Sequence, residues 1–207
     1  MSAGQVIRTL VSPDINTNGI VTVARYLYCT DHNADKHFML DLDGTKIKNW
    51  GVYALGPGAI AFDGMRLIST DNMSNALYKI DLAGTIIRTV ASGATFICGL
   101  AWDGKYFYYT DAGVNQINTI DQNGVLIRTV NIGTTFSTGL AYDGKYFWVL
   151  DGPAEQVFMI DRDGVTLKSF GITASGAPRL MFAIDFDGYN LRITDAGNPE
   201  LITVARN

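Results

Sequence analysis

The sequence predicts an all-β chain folded as a five-bladed β-propeller of four-stranded antiparallel blades, with an N-terminal strand completing the C-terminal blade. Three observations carry this reading. The segment GLAWDGKYFYYTD at 99–111 recurs as GLAYDGKYFWVLD at 139–151 and as AIAFDGMRLISTD at 59–71, with drifted copies GIVTVARYLYCTD at 19–31 and AIDFDGYNLRITD at 183–195. The aspartates that close these copies, Asp31, Asp71, Asp111, Asp151 and Asp195, are spaced by 40, 40, 40 and 44 residues. A second ladder, Gly4, Gly44, Gly84, Gly124 and Gly164, keeps a spacing of 40 and runs out of phase with the first. Four-stranded units of about forty residues are the mark of propeller blades.

Each element follows from local chemistry. In the third unit the strands fall near 98–102, 106–111, 116–121 and 125–131. Asp103-Gly104 and Asn123-Gly124 stand between strands one and two and between three and four, where such dipeptides favour tight hairpin turns. The strands alternate β-branched and aromatic residues, as in IRTV and YFYYT, and no window carries a helical period. The units run over 17–56, 57–96, 97–136, 137–180 and 181–207, the last closed by 1–16. The fifth unit ends where its fourth strand should begin, and Gly4 precedes a surplus strand. Gln5 to Leu10 is therefore expected beside Leu201 to Ala205, which removes a sheet edge.

Composition narrows the function. The net charge is −4, charged residues make up 17%, and Lys and Arg form no cluster, which argues against nucleic acid as a partner. No apolar run is long enough for a membrane span, and MSAGQVIRTL lacks the pattern of a signal peptide. Cys29 and Cys98 sit among apolar neighbours without metal-ligand spacing, so both are expected as buried free thiols. These features predict a cytoplasmic or virion-associated chain, and a mature secreted domain would read the same.

The segments YYTDAGVNQINTID and ISTDNMSNALYKID resemble the NHL repeat and its relatives among NHL-like and TolB-like propellers. The likeness lies in a hydrophobic strand ending in Asp, an Asn a few residues on, and an apolar strand ending in Asp before a Gly turn. It covers nearly the whole chain and implies architecture; propellers of this kind bind proteins, nucleic acids or sugars, or catalyse. Where that family commonly has six blades and a basic residue in the third strand, this chain has five and Ala76, Gln116 or Gln156.

Residues repeated in every blade are expected to serve the blade. The Asp ladder, and Asp41, Asp81, Asp121 and Asp161 after strand three, should accept backbone N–H groups in the turns that follow. Departures from the repeat point elsewhere. Asp185 replaces the small apolar residues Val21, Ala61, Ala101 and Ala141, and Arg192 replaces Tyr28, Ile68, Tyr108 and Trp148. Antiparallel pairing puts both on one face of the fifth blade, and an Asp185–Arg192 ion pair near the axis is expected. His32 and Asp35 lie in the loop after Asp31 and His37 follows on strand three, but no third clear ligand is in view, so no metal is assigned. Phe62, Trp102, Tyr142 and Phe186 end strand one and are expected to pack between blades.

The loops that join blades, 12–18, 51–58, 92–96, 133–138 and 171–180, are poor in charge and rich in Gly, Ser and Thr. Tyr53, Phe96, Phe136 and Arg179 are large side chains on them. Such a face suits adaptable contact with a protein or glycan, and suits a structural part of a larger assembly or virion. No cofactor, nucleophile elbow or phosphate loop is found. The alternative is a glycosidase-like or cyclase-like propeller enzyme, which would need carboxylates converging on a central pocket.

Overall fold

The computed structural model describes residues 2–12, 16–51, 56–172 and 180–206; Tyr53 and Arg179 lie outside them. Blade A comprises β2 (Thr17–Val23), β3 (Tyr26–Asp31), β4 (Lys36–Asp41) and β5 (Lys46–Gly51). Blade B holds β6 (Pro57–Phe62), β7 (Leu67–Asp71), β8 (Ala76–Ile80) and β9 (Ile86–Ala91). Blade C holds β10 (Ile97–Trp102), β11 (Phe107–Asp111), β12 (Gln116–Ile120) and β13 (Leu126–Asn131). Blade D holds β14 (Ser137–Tyr142), β15 (Phe147–Asp151), β16 (Gln156–Ile160) and β17 (Thr166–Gly171). Blade E joins β18 (Met181–Phe186), β19 (Leu191–Asp195) and β20 (Glu200–Val204) to β1 (Val6–Val11). The strands of blade C differ from the expected bounds by one residue at four of their eight ends, and no described residue is helical.

Ring closure is antiparallel, as the sequence requires. Thr9 faces Ile202, Leu10 faces Leu201 and Val11 faces Glu200. The ladder continues beyond the strand through Gly4 N–H to Ala205 O at 2.8 Å and Ala205 N–H to Gln5 O at 3.0 Å.

The core lies between the blades. Among the described residues five apolar clusters form, one at each blade junction; at the D–E junction Trp148, Leu150 and Val157 pack on Ile184, Ile193 and Ile202. Each such side chain contributes roughly 1.5–3 kcal/mol when fully buried. Near the axis the innermost strands approach so closely that only small residues fit. A Cβ on Gly99 would collide with the backbone of Leu140, and the equivalent positions are Gly19, Ala59, Gly139 and Ala183.

Two features escaped the sequence reading. Every outermost strand carries a β-bulge at the same place, so Ile7, Ile47, Ile87, Ile127 and Leu167 are skipped in the pairing register. Bulges twist an edge away from further pairing, which protects five otherwise open edges. The residue after each bulge is basic and reaches the next blade. Arg8 meets Asp43 at 2.7 Å, Lys48 meets Leu82 O at 3.5 Å, and Arg88 meets Asn123 Oδ1 at 3.1 Å. Arg128 meets Asp163 at 2.6 Å and Lys168 meets Arg206 O at 3.2 Å. The signal was present as a basic residue every 40 positions; only the ring shows what it touches. These exposed links are each worth under about 1 kcal/mol.

Candidate functional site: the loop face

Among the described residues, one face of the ring gathers the segments that lead directly into the blades and the turns between the second and third strands. The Asp ladder organises it. Asp31 Oδ1 accepts the N–H groups of Asn33 and Ala34, and Asp71 Oδ1 those of Met73 and Ser74, so the turn-capping role holds. Asp41, Asp81, Asp121 and Asp161 do the same for the N–H groups two and four residues on.

Asp111 and Asp151 also reach back to the loop that enters their own blade. Asp111 accepts Thr95 N–H at 2.7 Å, Thr95 Oγ1 at 2.8 Å and Phe96 N–H at 3.0 Å. Asp151 accepts Thr135 N–H at 2.6 Å, Thr135 Oγ1 at 2.8 Å and Phe136 N–H at 3.3 Å. From the preceding blade, Asn75 Nδ2 donates to Thr95 O and Asn115 Nδ2 to Thr135 O, both at 3.2 Å. Asn75 and Asn115 hold left-handed backbones (φ 52° and 51°), which Asn tolerates better than most residues. This is the Asn of the repeat pattern, and its part is to staple adjacent blades.

Two Thr-Phe dipeptides are thus clamped from both sides. Phe96 and Phe136 stand 38% and 36% exposed with ring centroids 6.0 Å apart. Leu180, 59% exposed, takes the same position in blade E. The backbone at this position is alike in four blades: the carbonyls of Asn16, Gly56, Phe96 and Leu180 accept from His32, Asn72, Ala112 and Ala196 at 2.9–3.2 Å. What varies from blade to blade is the side chain displayed.

The axis holds the second departure from symmetry. A cavity of about 90 Å³ is lined by the innermost strands of all five blades, including Phe62, Trp102 and Tyr142. These aromatics therefore face the axial cavity as well as the junction packing expected of them. Asp185 is the charged residue in that lining. Asp185 and Arg192 are direct cross-strand partners, so they share a face as expected. The direct ion pair does not form. Arg192 bonds Asp187 at 3.2 Å and Thr22 Oγ1, while Asp185 accepts Thr22 N–H at 2.8 Å. Thr22 of blade A stands between the two charges, and Asp187, at the hairpin turn of the same blade, is within reach of the guanidinium.

Burial pushes the Asp185 carboxyl up to about 6, against hydrogen bonds from Thr22 that lower it. A carboxyl raised in the folded state favours folding below its unfolded value near 4, and that advantage is lost as pH rises to about 6. Asp185→Asn should therefore stabilise the fold by about 2 kcal/mol at pH 7.5, with the gain shrinking to nothing near pH 4. Urea unfolding of both proteins across that range checks it; a gain independent of pH refutes it.

The histidine loop separates. His32 lies against Gly56, and Asp35, left-handed at φ 50°, accepts Gly56 N–H at 3.0 Å as the blade A counterpart of Asn75. His37 is fully buried at the A–B junction, with Nε2 3.1 Å from Ser69 Oγ and its ring beside Trp50. Burial drives its pKa down to about 3, so the ring is neutral. Strand β4 carries His37 into the core while His32 stays at the junction loop, and among the described residues no group of three such side chains gathers that could hold a metal ion. Cys29 and Cys98 are free and buried.

Comparison with solved structures places the fold among propellers. Myxococcus xanthus glutaminyl cyclase matches with a TM-score of 0.82 at 14% identity, covering 96% of this chain and 94% of that one. Staphylococcus aureus virginiamycin B lyase matches with a TM-score of 0.60 at 11% identity, covering 96% and 98%. A chain of a nidogen/laminin complex matches with a TM-score of 0.63 at 20% identity, covering 86% and 72%. At these identities the likeness establishes the fold alone. No protein-family profile and no curated protein matches the chain. Among the described residues no helix is long and apolar enough to cross a membrane.

Proposed function

We propose that this chain is a binding propeller whose loop face docks a protein partner through Phe96 and Phe136, with Leu180 continuing the apolar arc. The observation that carries the reading is the clamped, exposed aromatic pair. Aromatic side chains offer large contact area at small entropic cost, and a backbone already fixed by Asp111, Asp151, Asn75 and Asn115 leaves little to order on binding. Such anchors dominate interface energetics. The nidogen/laminin neighbour is itself a protein complex, which agrees with this reading. A glycan ligand, and a structural place within a larger assembly, are outcomes of the same test.

The test compares the full chain with Phe96→Ser/Phe136→Ser in a pull-down paired with a glycan array. The double variant should lose at least about tenfold in capture of the partner while its melting temperature moves little, because both rings are partly exposed. Unchanged capture, or a glycan signal with no protein partner, overturns the reading.

A propeller enzyme of the cyclase type is the second reading, favoured by the end-to-end match to glutaminyl cyclase. Against it, the axial cavity holds a single carboxylate among the described residues and has room for a few waters only. Loss of ammonia from a peptide with N-terminal glutamine, followed by mass spectrometry, would decide for the enzyme.

A further inference from the structure

On the face opposite the loops, the junction between blades D and E opens into a cleft of about 400 Å³. The equivalent C–D and B–C clefts measure about 160 and 20 Å³, so the repeat is broken here. The cause can be followed residue by residue. At C–D, Arg162 reaches into the junction and donates to Tyr108 Oη, Tyr142 Oη and Asp103, while Arg128 is neutralised by Asp163 at 2.6 Å. At D–E the corresponding residues are Arg206 and Lys168. Arg206 keeps the equivalent contacts, with Asp143 at 2.9 Å and over the Phe186 ring at 4.7 Å, but Trp148 and Phe186 stand where Tyr108 and Tyr142 offer hydroxyls, so the two tyrosine bonds that tie Arg162 into its junction are missing.

The lining combines three cations, Lys145, Lys168 and Arg206, with one carboxylate, Asp143. Asp143 Oδ2 is already shared by Trp148 Nε1 and Arg206. Lys168 Nζ donates to the backbone oxygen of Arg206 at 3.2 Å, and Lys145 Nζ lies 4.7 Å from the Tyr146 centroid; neither makes an ion pair among the described residues. Trp148, Tyr146 and Met159 supply an apolar wall beside these charges. A volume of a few hundred Å³ with an apolar wall and convergent charge is the make-up of a small-molecule site. Ammonium groups act as compact point charges that suit carboxylate and phosphate oxygens.

We infer that the D–E cleft binds a small organic anion: a carboxylate or phosphate monoester carried on a flat apolar body. The site is independent of the loop face and stands or falls without it. Calorimetric titration of the full chain with benzoate and with phenyl phosphate tests it, and the two arms tell which anion is preferred. Inorganic phosphate and benzyl alcohol serve as controls for charge and body alone.

Saturable binding of either aromatic anion is expected, weakened about tenfold for each of Lys145→Gln and Lys168→Gln. Lys105→Gln, the same position in blade C, should leave it unchanged. These lysines are outside the core, so the variants should fold, and a melting curve of each confirms it. No saturable binding, equal binding of inorganic phosphate, or equal losses in the Lys105 variant would each overturn the assignment.

Discussion

Deleting residues 1–11 is expected to destroy the cooperative unfolding transition. The deletion removes β1, leaving Leu201, Ile202 and Val204 on an open edge. It also removes Val6 from the D–E cluster and Leu10 from the E–A cluster, and cuts the Arg8–Asp43 link to blade A. Uncovering those side chains and losing one strand ladder costs on the order of 5 kcal/mol, comparable with the whole stability of many domains. Circular dichroism against temperature should show a broad, early loss of signal, and sedimentation should show association through the freed edge. A synthetic peptide of residues 2–12 should restore the transition when added in excess. A truncated protein that melts like the full chain would show that blade E is complete without its N-terminal strand.

Asp111→Ala should cost about 3 kcal/mol, a fall in melting temperature of roughly 6–12 °C for a chain of this size. The carboxylate accepts from Thr95 twice, from Phe96 and from Gly113, and its removal leaves those backbone donors without their partner. Burial raises the Asp111 carboxyl, but these hydrogen bonds outweigh it and hold it below the usual carboxylate range. A depressed value stabilises the fold at pH above the unfolded value near 4 and ceases to do so as pH falls below it. The gap between wild type and variant should therefore close in acid. Because Asp111 positions Phe96, the variant should also weaken partner capture at temperatures where it remains folded. An equal loss at every pH would remove the carboxylate from this role.

The origin of each result differs. Asp111 was legible as one rung of a ladder, and the turn cap it makes with Gly113 follows from its place after a strand. Its bonds to Thr95 and Phe96 were not legible, because those residues precede it by 16 and 15 positions and meet it only when β10 folds against β11. Asp35 drew notice because it sits between two histidines. The structure gives it the place of Asn75, a match the sequence hides because Asp and Asn share the left-handed turn but differ in charge. Asp185 and Arg192 were found by their departure from the repeat. Their partners were missed because Thr22 reaches them from blade A, 163 and 170 residues away.

By itself the sequence determined the number of blades, the strands in each, the closing strand and the turn-capping aspartates. The blades, strands and turn caps rest on spacing and on hydrogen bonds within one unit, which a repeated pattern records directly, and the closing strand on the phase between the two ladders. The tertiary structure alone decided which departures from the pattern meet: Phe96 with Phe136, Thr22 between two charges, and three cations around an opened cleft. Those neighbours belong to different blades, and their distances are set by how the sheets pack around the axis, a quantity no stretch of one blade encodes.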